Sequence, residues 1–162
     1  MQILVELDGV LRGQKDEPIP LGIIMTAQLA AYNQIIFMTE LSEAEAVQWI
    51  NVNKVVDYDM LIDSNISLVD EPLKHRQLRY ARARGNVDLV ITNDPSFWAF
   101  AFEQGIPCMM LGVPAYTRVE FRPDAPKKVR AWTDIEEAIR KQNEIRTKDA
   151  RLTRTDERTR FE

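Results

Sequence analysis

Six polar side chains of this sequence could act together: Glu6 and Asp8, then Thr39, then Lys74, then Asn93 and Asp94. Two carboxylates set two residues apart can divide labour, one attacking as a nucleophile while the other moves protons. Carboxylate and amide oxygens from Glu6, Asp8, Asn93 and Asp94 are the hard ligands that Mg²⁺ takes in octahedral geometry. A threonine hydroxyl and a lysine ammonium are donors suited to a phosphate. The set is coherent for phosphate chemistry, provided that the fold brings its members to one place.

The elements that would do so are legible as an alternation. Residues 2–7, Gln-Ile-Leu-Val-Glu-Leu, and 34–38, Gln-Ile-Ile-Phe-Met, are short, mostly apolar runs that suit buried strands. Val87 to Ile91 and Pro107 to Leu111 read the same way, and Met60-Leu61-Ile62 is a short third strand or a fragment of one. Between them lie helical patterns. Leu21, Ile24, Ala27 and Ala31 share one side of the first helix and are its expected buried stripe. Ser42 with Glu45 makes a capping box for the second, whose core stripe is Ala46, Trp49 and Ile50. Asp70 is placed to cap the third, with Pro72 near its first turn and Gly85 past its end. Pro95 and Ser96 open a fourth, aromatic on two faces through Phe97, Trp98, Phe100 and Phe102. Thr133 with Glu136 caps a last helix over about 134–142. The intervening 113–130 segment reads as irregular, with one extended piece near residues 119–121.

Strands alternating with helices predict βαβ units, right-handed crossovers and a three-layer, doubly wound, mainly parallel sheet. In such a sheet ligands bind beyond the carboxyl ends of the strands. Glu6 and Asp8 follow the first strand, Thr39 the second, and Thr92, Asn93 and Asp94 the fourth.

The order of these pieces resembles the haloacid dehalogenase-like (HAD-like) phosphohydrolases. Val5-Glu-Leu-Asp-Gly-Val-Leu11 is similar to the first signature of that family, and Thr39 after Ile35-Ile-Phe-Met38 to the second. Lys74 is suitably placed for the third. Ile91-Thr-Asn-Asp-Pro-Ser-Phe97, followed by Gly105-Ile-Pro107, is similar to the fourth. The resemblance covers residues 1–142, leaving 143–162 as a charged tail. It implies a HAD-like Rossmannoid fold with Glu6 at the nucleophile position and Asp8 as general acid and base. Thr39 and Lys74 would bind phosphate, and Glu6, Asp8, Asn93 and Asp94 would surround Mg²⁺. With only about ten residues between Gly9 and the first helix, there is no room for a large cap domain, and an open site is implied.

This chain departs from the family pattern in three places. The nucleophile position holds glutamate, whose extra methylene displaces the attacking oxygen by about 1 Å, a misplacement that can cost about 10²-fold in rate. The metal position of the fourth signature holds the neutral Asn93, and Phe97 stands where a second acid is common. The expectation is a phosphatase of weak or absent turnover. The alternative is a non-catalytic scaffold for a protein or nucleic-acid partner, reached through the aromatic helix or a basic tail. A less favoured reading joins Glu6 to Asp57 and Asp59 as a Toprim-like metal site for nucleic-acid cleavage, which requires those aspartates near Glu6.

Composition narrows the remaining classes. Among 162 residues the formal charge is −4, but residues 140–162 hold eight Lys/Arg and five Asp/Glu, so the tail is +3 and the body −7. That polarity suits nucleic acid or an acidic partner, or else a solvated end. One cysteine, Cys108, and one histidine, His75, exclude an internal disulfide and make a zinc cage improbable. Cys108 is expected to be a buried, inert thiol. No apolar run approaches the roughly 18–20 residues needed to span a bilayer. The run after Met1 is strand-like and not a signal core, so the expected compartment is cytoplasmic.

Overall fold

The computed structural model describes residues 1–66, 70–126 and 132–148, the side chains of Thr133 and Asp134 excepted. Among them strands and helices alternate: β1 (Gln2–Glu6), α1 (Pro20–Ala30), β2 (Gln34–Met38), α2 (Glu43–Val52), β3 (Met60–Ile62), α3 (Leu73–Arg84), β4 (Leu89–Thr92), α4 (Pro95–Glu103), β5 (Cys108–Met110) and α5 (Trp132–Lys148). The sheet order is β3-β2-β1-β4-β5, and every pairing is parallel. The expected doubly wound α/β fold is present.

The strands are continuous apolar runs because both faces of the sheet are covered. Side chains of one strand alternate between those faces. Ile3, Val5, Ile35 and Phe37 pack with Ala46, Trp49 and Ile50 of α2 and with Ile23, Met25 and Leu29 of α1. Leu4, Ile36, Met38 and Val90 pack the other way, against Leu78 and Ala81 of α3 and Phe97 and Ala101 of α4. α5 forms no part of either layer next to the sheet. Its Ile135 and Ala138 cover the second face of α4, where Trp98 and Phe102 stack with centroids 5.0 Å apart. The two aromatic faces of α4 are therefore both core.

Several local expectations change. The buried stripe of α1 is not Leu21 and Ile24, which are 55% and 60% exposed; Gly22 and Thr26 face inward instead. α1 carries no charge to oppose its apolar residues, so periodicity could not choose a face. Close approach chose it: a Cβ on Gly22 would lie 1.7 Å from the carbonyl oxygen of Val10, so only glycine lets α1 settle on the loop after β1. The Ser42–Glu45 capping box is present. Pro72, not Asp70, stands at the N-cap of α3, with no side-chain cap, because Asp70 lies two residues too early. The piece at Val119–Phe121 is a 3₁₀ turn, not extended; Phe121 N–H donates to Arg118 O at 3.0 Å. β5 is shorter than expected, and α5 runs past 142 to Lys148. α5 begins at Trp132, so Thr133 lies inside its first turn and not ahead of a helix starting near 134; the tail beyond Lys148 lies outside the described residues. No helix among the described residues is long and apolar enough to cross a membrane.

Gly22→Ala is expected to destabilise the chain by about 1–3 kcal/mol or more through overpacking against backbone that cannot swing away. Urea midpoints of the two chains measure this; an unchanged midpoint would show that α1 can shift outward without loss.

Candidate functional site

The sheet order reverses at β1. Chain connections leave β1 toward β2 and β3 on one side and resume at β4 and β5 on the other. This switch point opens a crevice between the carboxyl ends of β1 and β4, the position where open α/β sheets bind ligands. Glu6 ends β1 and Thr92 ends β4, so the chain places its two strand-end polar groups on either side of the crevice.

Glu6 is 3% exposed, and both of its oxygens are engaged. Oε1 lies 2.6 Å from Nζ of Lys74, and Oε2 accepts the Thr92 hydroxyl at 2.5 Å. Lys74 Nζ lies also 2.7 Å from Oδ2 of Asp94. Asp94 in turn caps α4, its Oδ1 accepting from Ser96 N–H at 2.9 Å, while its own N–H donates to Thr92 Oγ1. One ammonium thus joins the end of β1 to the start of α4.

Lys74 reaches this place because α3 is fastened to the sheet edge by Gln77. That glutamine is fully buried, and its Nε2 donates to Thr39 O at 2.7 Å and Asp63 O at 3.0 Å, at the ends of β2 and β3. Lys74 and Gln77 are three residues apart and share a helix face. The remaining cations of α3 behave differently: Arg79 pairs with Glu71 at 2.9 Å on the surface, and Arg84 lies over the Tyr80 ring. Arg79, Arg82 and Arg84 form an exposed cationic face of α3, whereas Lys74, His75 and Arg76 are partly buried.

Asp8 forms a second cluster. Its Oδ2 accepts from Thr39 Oγ1 at 3.0 Å and from Glu40 N–H at 2.7 Å. Its Oδ1 lies 3.4 Å from Arg12 and takes no hydrogen bond. The turn that holds Asp8 closes through Leu11 and Arg12 N–H groups donating to Leu7 O at 3.0 and 2.9 Å. Gly9 sits in it at φ +86°, and a Cβ there would meet Asn93 Oδ1 at 2.7 Å. Asn93 Nδ2 donates to Leu111 O at 3.0 Å, which aims the amide oxygen at Gly9. Glu6, Asp8, Gly9, Arg12, Lys74 and Asn93 all line one small void. The six expected site residues do converge on one sheet edge, although Thr39 and Asp94 support it from behind.

The void is not open. Its volume is about 20 Å³, room for about one water molecule, and Tyr116, Arg118 and Phe121 close it. The Phe121 ring centroid is 5.6 Å from Lys74 Nζ, and Arg118 pairs with Glu40 across the mouth at 3.6 Å. The expected open site is corrected: the connection after β5 covers the acids. Arg12, Gln77, Arg118 and Phe121 were not singled out from sequence. Arg12 had a signal, four residues beyond Asp8; residues 118 and 121 had none, since an irregular connection has no period.

Burial raises the Glu6 pKa above the ordinary 4.5, with Lys74 and Thr92 offsetting part of the rise. Burial works against the charge of Lys74, but Glu6 and Asp94 more than compensate, and its pKa is raised. Burial pushes the half-buried Cys108 thiol up to about 12, and it donates to Ile106 O, as an inert thiol would. His75, its pKa lowered by burial, stacks on Phe100 with centroids 3.6 Å apart.

As they stand, these residues are engaged with one another and not gathered around one metal position. The cation between Glu6 and Asp94 is Lys74, Asp8 is turned toward Thr39 and Arg12, and among the described residues no three of His, Cys, Asp and Glu converge on a metal position. The Toprim-like constellation is not assembled either. Asp59 accepts from Ile35 N–H at 2.8 Å, at the start of β2, the opposite end of the sheet from Glu6.

No family model matches the chain, and no curated protein matches it. A chain of the solved Pnkp1/Rnl/Hen1 complex is similar in fold, with a TM-score of 0.53 at 16% identity. The match covers 68% of this chain and 45% of that one, so this chain spans less than half the length of that neighbour. At that identity the likeness shows the fold alone.

Two predictions follow from the ion cluster. Lys74→Met keeps the packed stem but leaves Glu6 and Asp94 facing each other, and should cost about 3–5 kcal/mol near neutral pH, read by urea unfolding. Because Glu6 holds its proton more tightly folded than unfolded, its stabilising contribution is full below 4.5 and is lost as pH rises through the raised value. Wild-type stability should therefore fall relative to Glu6→Gln as pH rises from 4.5. A difference in urea midpoint that stays flat with pH would mean that Lys74, not burial, governs the titration.

Proposed function

We propose that the chain is a HAD-like domain that holds the anionic end of a phosphate-bearing ligand at the β1–β4 crevice, with phosphatase turnover slow or absent. One observation carries this reading: the carboxylate at the nucleophile position is buried and committed on both oxygens, to Lys74 at 2.6 Å and Thr92 at 2.5 Å. An attacking oxygen must be free to approach phosphorus in line. Whichever Glu6 oxygen attacked would have to turn from its own partner, Lys74 or Thr92, toward the ligand.

What supports the binding half is the surrounding charge. Lys74, Arg12 and Arg118 meet at the void beside Glu6, Asp8 and Glu40, so three cations stand where a phosphate could be held once it displaced their carboxylate partners and the residues that close the void. Asp8 keeps an oxygen without a hydrogen bond, as a proton-transfer group would. Mg²⁺ belongs to this reading only together with turnover, since the cluster as found is built around an ammonium. The scaffold alternative, a protein or nucleic-acid partner, draws support from the solved neighbour being part of a multi-component complex.

Phosphate release from a panel of phosphomonoesters, with Mg²⁺ and then Mn²⁺, tests the turnover half. The wild type is expected to release no more phosphate than Asp8→Asn. Release at least about tenfold above that variant, a difference of about 1.4 kcal/mol in barrier, would make this an enzyme with glutamate as its nucleophile.

A further inference from the structure

Beside the small void lies a groove of about 640 Å³, bounded by α3, α4 and α5. The two are neighbours through shared walls: Glu40, Lys74, Arg118 and Phe121 line both. The groove is within the size range of small-ligand sites, about 300–1,000 Å³. Its lining differs in character from the void. Leu73 and Phe121 give apolar surface, with Phe97 and Ala99 buried behind it, and His75 stacked on Phe100 at an interplanar angle of 5° gives an aromatic wall. The outer rim carries Glu103 and Glu137, paired with Lys141 at 3.8 Å and Arg140 at 2.7 Å.

This distribution selects among ligands. A phosphoryl group has no room in the void while Phe121 closes it, but Lys74 and Arg118 also face the groove, so an anion at its inner end meets two cations for which it competes with their partners Asp94 and Glu40. An apolar or aromatic body then lies along the ring-lined wall, where stacking is favourable. A nucleic-acid strand fits poorly, because beyond the inner end Lys141 lines the groove against Glu40, Glu103 and Glu137, which leaves no net positive track for successive phosphates.

We infer that the groove takes the ring-bearing body of a small phosphomonoester, whose phosphate meets Lys74 and Arg118 beside Phe121. This rests on the phosphate-binding reading above and adds the class of compound to it.

Calorimetric titration of the full chain with inorganic phosphate, phenyl phosphate and a 5′-phosphorylated oligonucleotide tests both layers separately. Phenyl phosphate should bind about tenfold more tightly than inorganic phosphate, an increment of about 1.4 kcal/mol. His75→Ala, at a half-buried position, should shrink that ratio toward one; a thermal melt of the variant shows that it is folded. Equal affinity for phosphate and phenyl phosphate would overturn the groove while leaving phosphate binding intact. Tighter binding of the oligonucleotide than of phenyl phosphate would overturn it in favour of a polyanion. If neither small phosphate binds, the phosphate-binding reading itself falls, and the groove inference with it.

Discussion

The Lys74 ammonium, 2.6 Å from Glu6 and 2.7 Å from Asp94, ties three separate elements into one edge. α3 supplies the cation, β1 one anion and the N-terminus of α4 the other. Removing charges from water costs several kcal/mol per ion, and close pairing with hydrogen bonds offsets that cost only when the geometry is good. Here the supporting bonds are present. Thr92 donates to Glu6 and accepts from Asp94 N–H, so the hydroxyl fixes the two acids relative to each other. Gln77 holds α3 against the carbonyls that end β2 and β3, which keeps the lysine from retreating to solvent. The cluster is thus a structural joint as much as a candidate site.

That dual role bears on why a glutamate stands at position 6. Its longer side chain carries the carboxylate further beyond the end of β1, toward α3 and the end of β4. An aspartate there would withdraw its oxygens by about one C–C bond length and stretch both contacts. The same reach that completes the joint commits the carboxylate to Lys74 and Thr92, while Asp8, on the other side of the crevice, keeps one oxygen that faces Arg12 without a hydrogen bond. Structural cohesion and nucleophilic freedom ask opposite things of this residue, and the observed geometry serves the first.

The strands, the helices that follow them and the convergence of Glu6, Asp8, Lys74 and Asn93 were legible because each depends on local rules: apolar runs, caps and the position of strand ends. What stayed hidden depends on packing between elements distant in sequence. Leu21 and Ile24 looked like core because nothing in α1 marks an outer face; the Gly22 contact with Val10 that settles the matter is a tertiary one. Gln77 reads as one more polar residue on a cationic helix until the carbonyls of β2 and β3 are found beneath it. Asp70 and Pro72 together suggested a cap, yet the helix began one residue after the proline.

The covering of the site follows from the same limit. The short stretch between Gly9 and the first helix left no room for a large cap, and from that alone an open crevice seemed required. A connection later in the chain closes it instead. Val113 O accepts from Tyr116 and Thr117 N–H groups and from the Thr117 hydroxyl, which bends the segment back over the sheet edge. Arg118 then latches to Glu40, and Phe121 comes to rest near Lys74. Excluding water in this way strengthens every interaction inside the crevice, the Lys74 pairing included. A ligand anion that engaged Lys74 and Arg118 would compete for the same cations that now hold Glu6, Asp94 and Glu40. Binding and closure are therefore coupled through shared charges, and the carboxylates displaced by the ligand set how tightly it can be held.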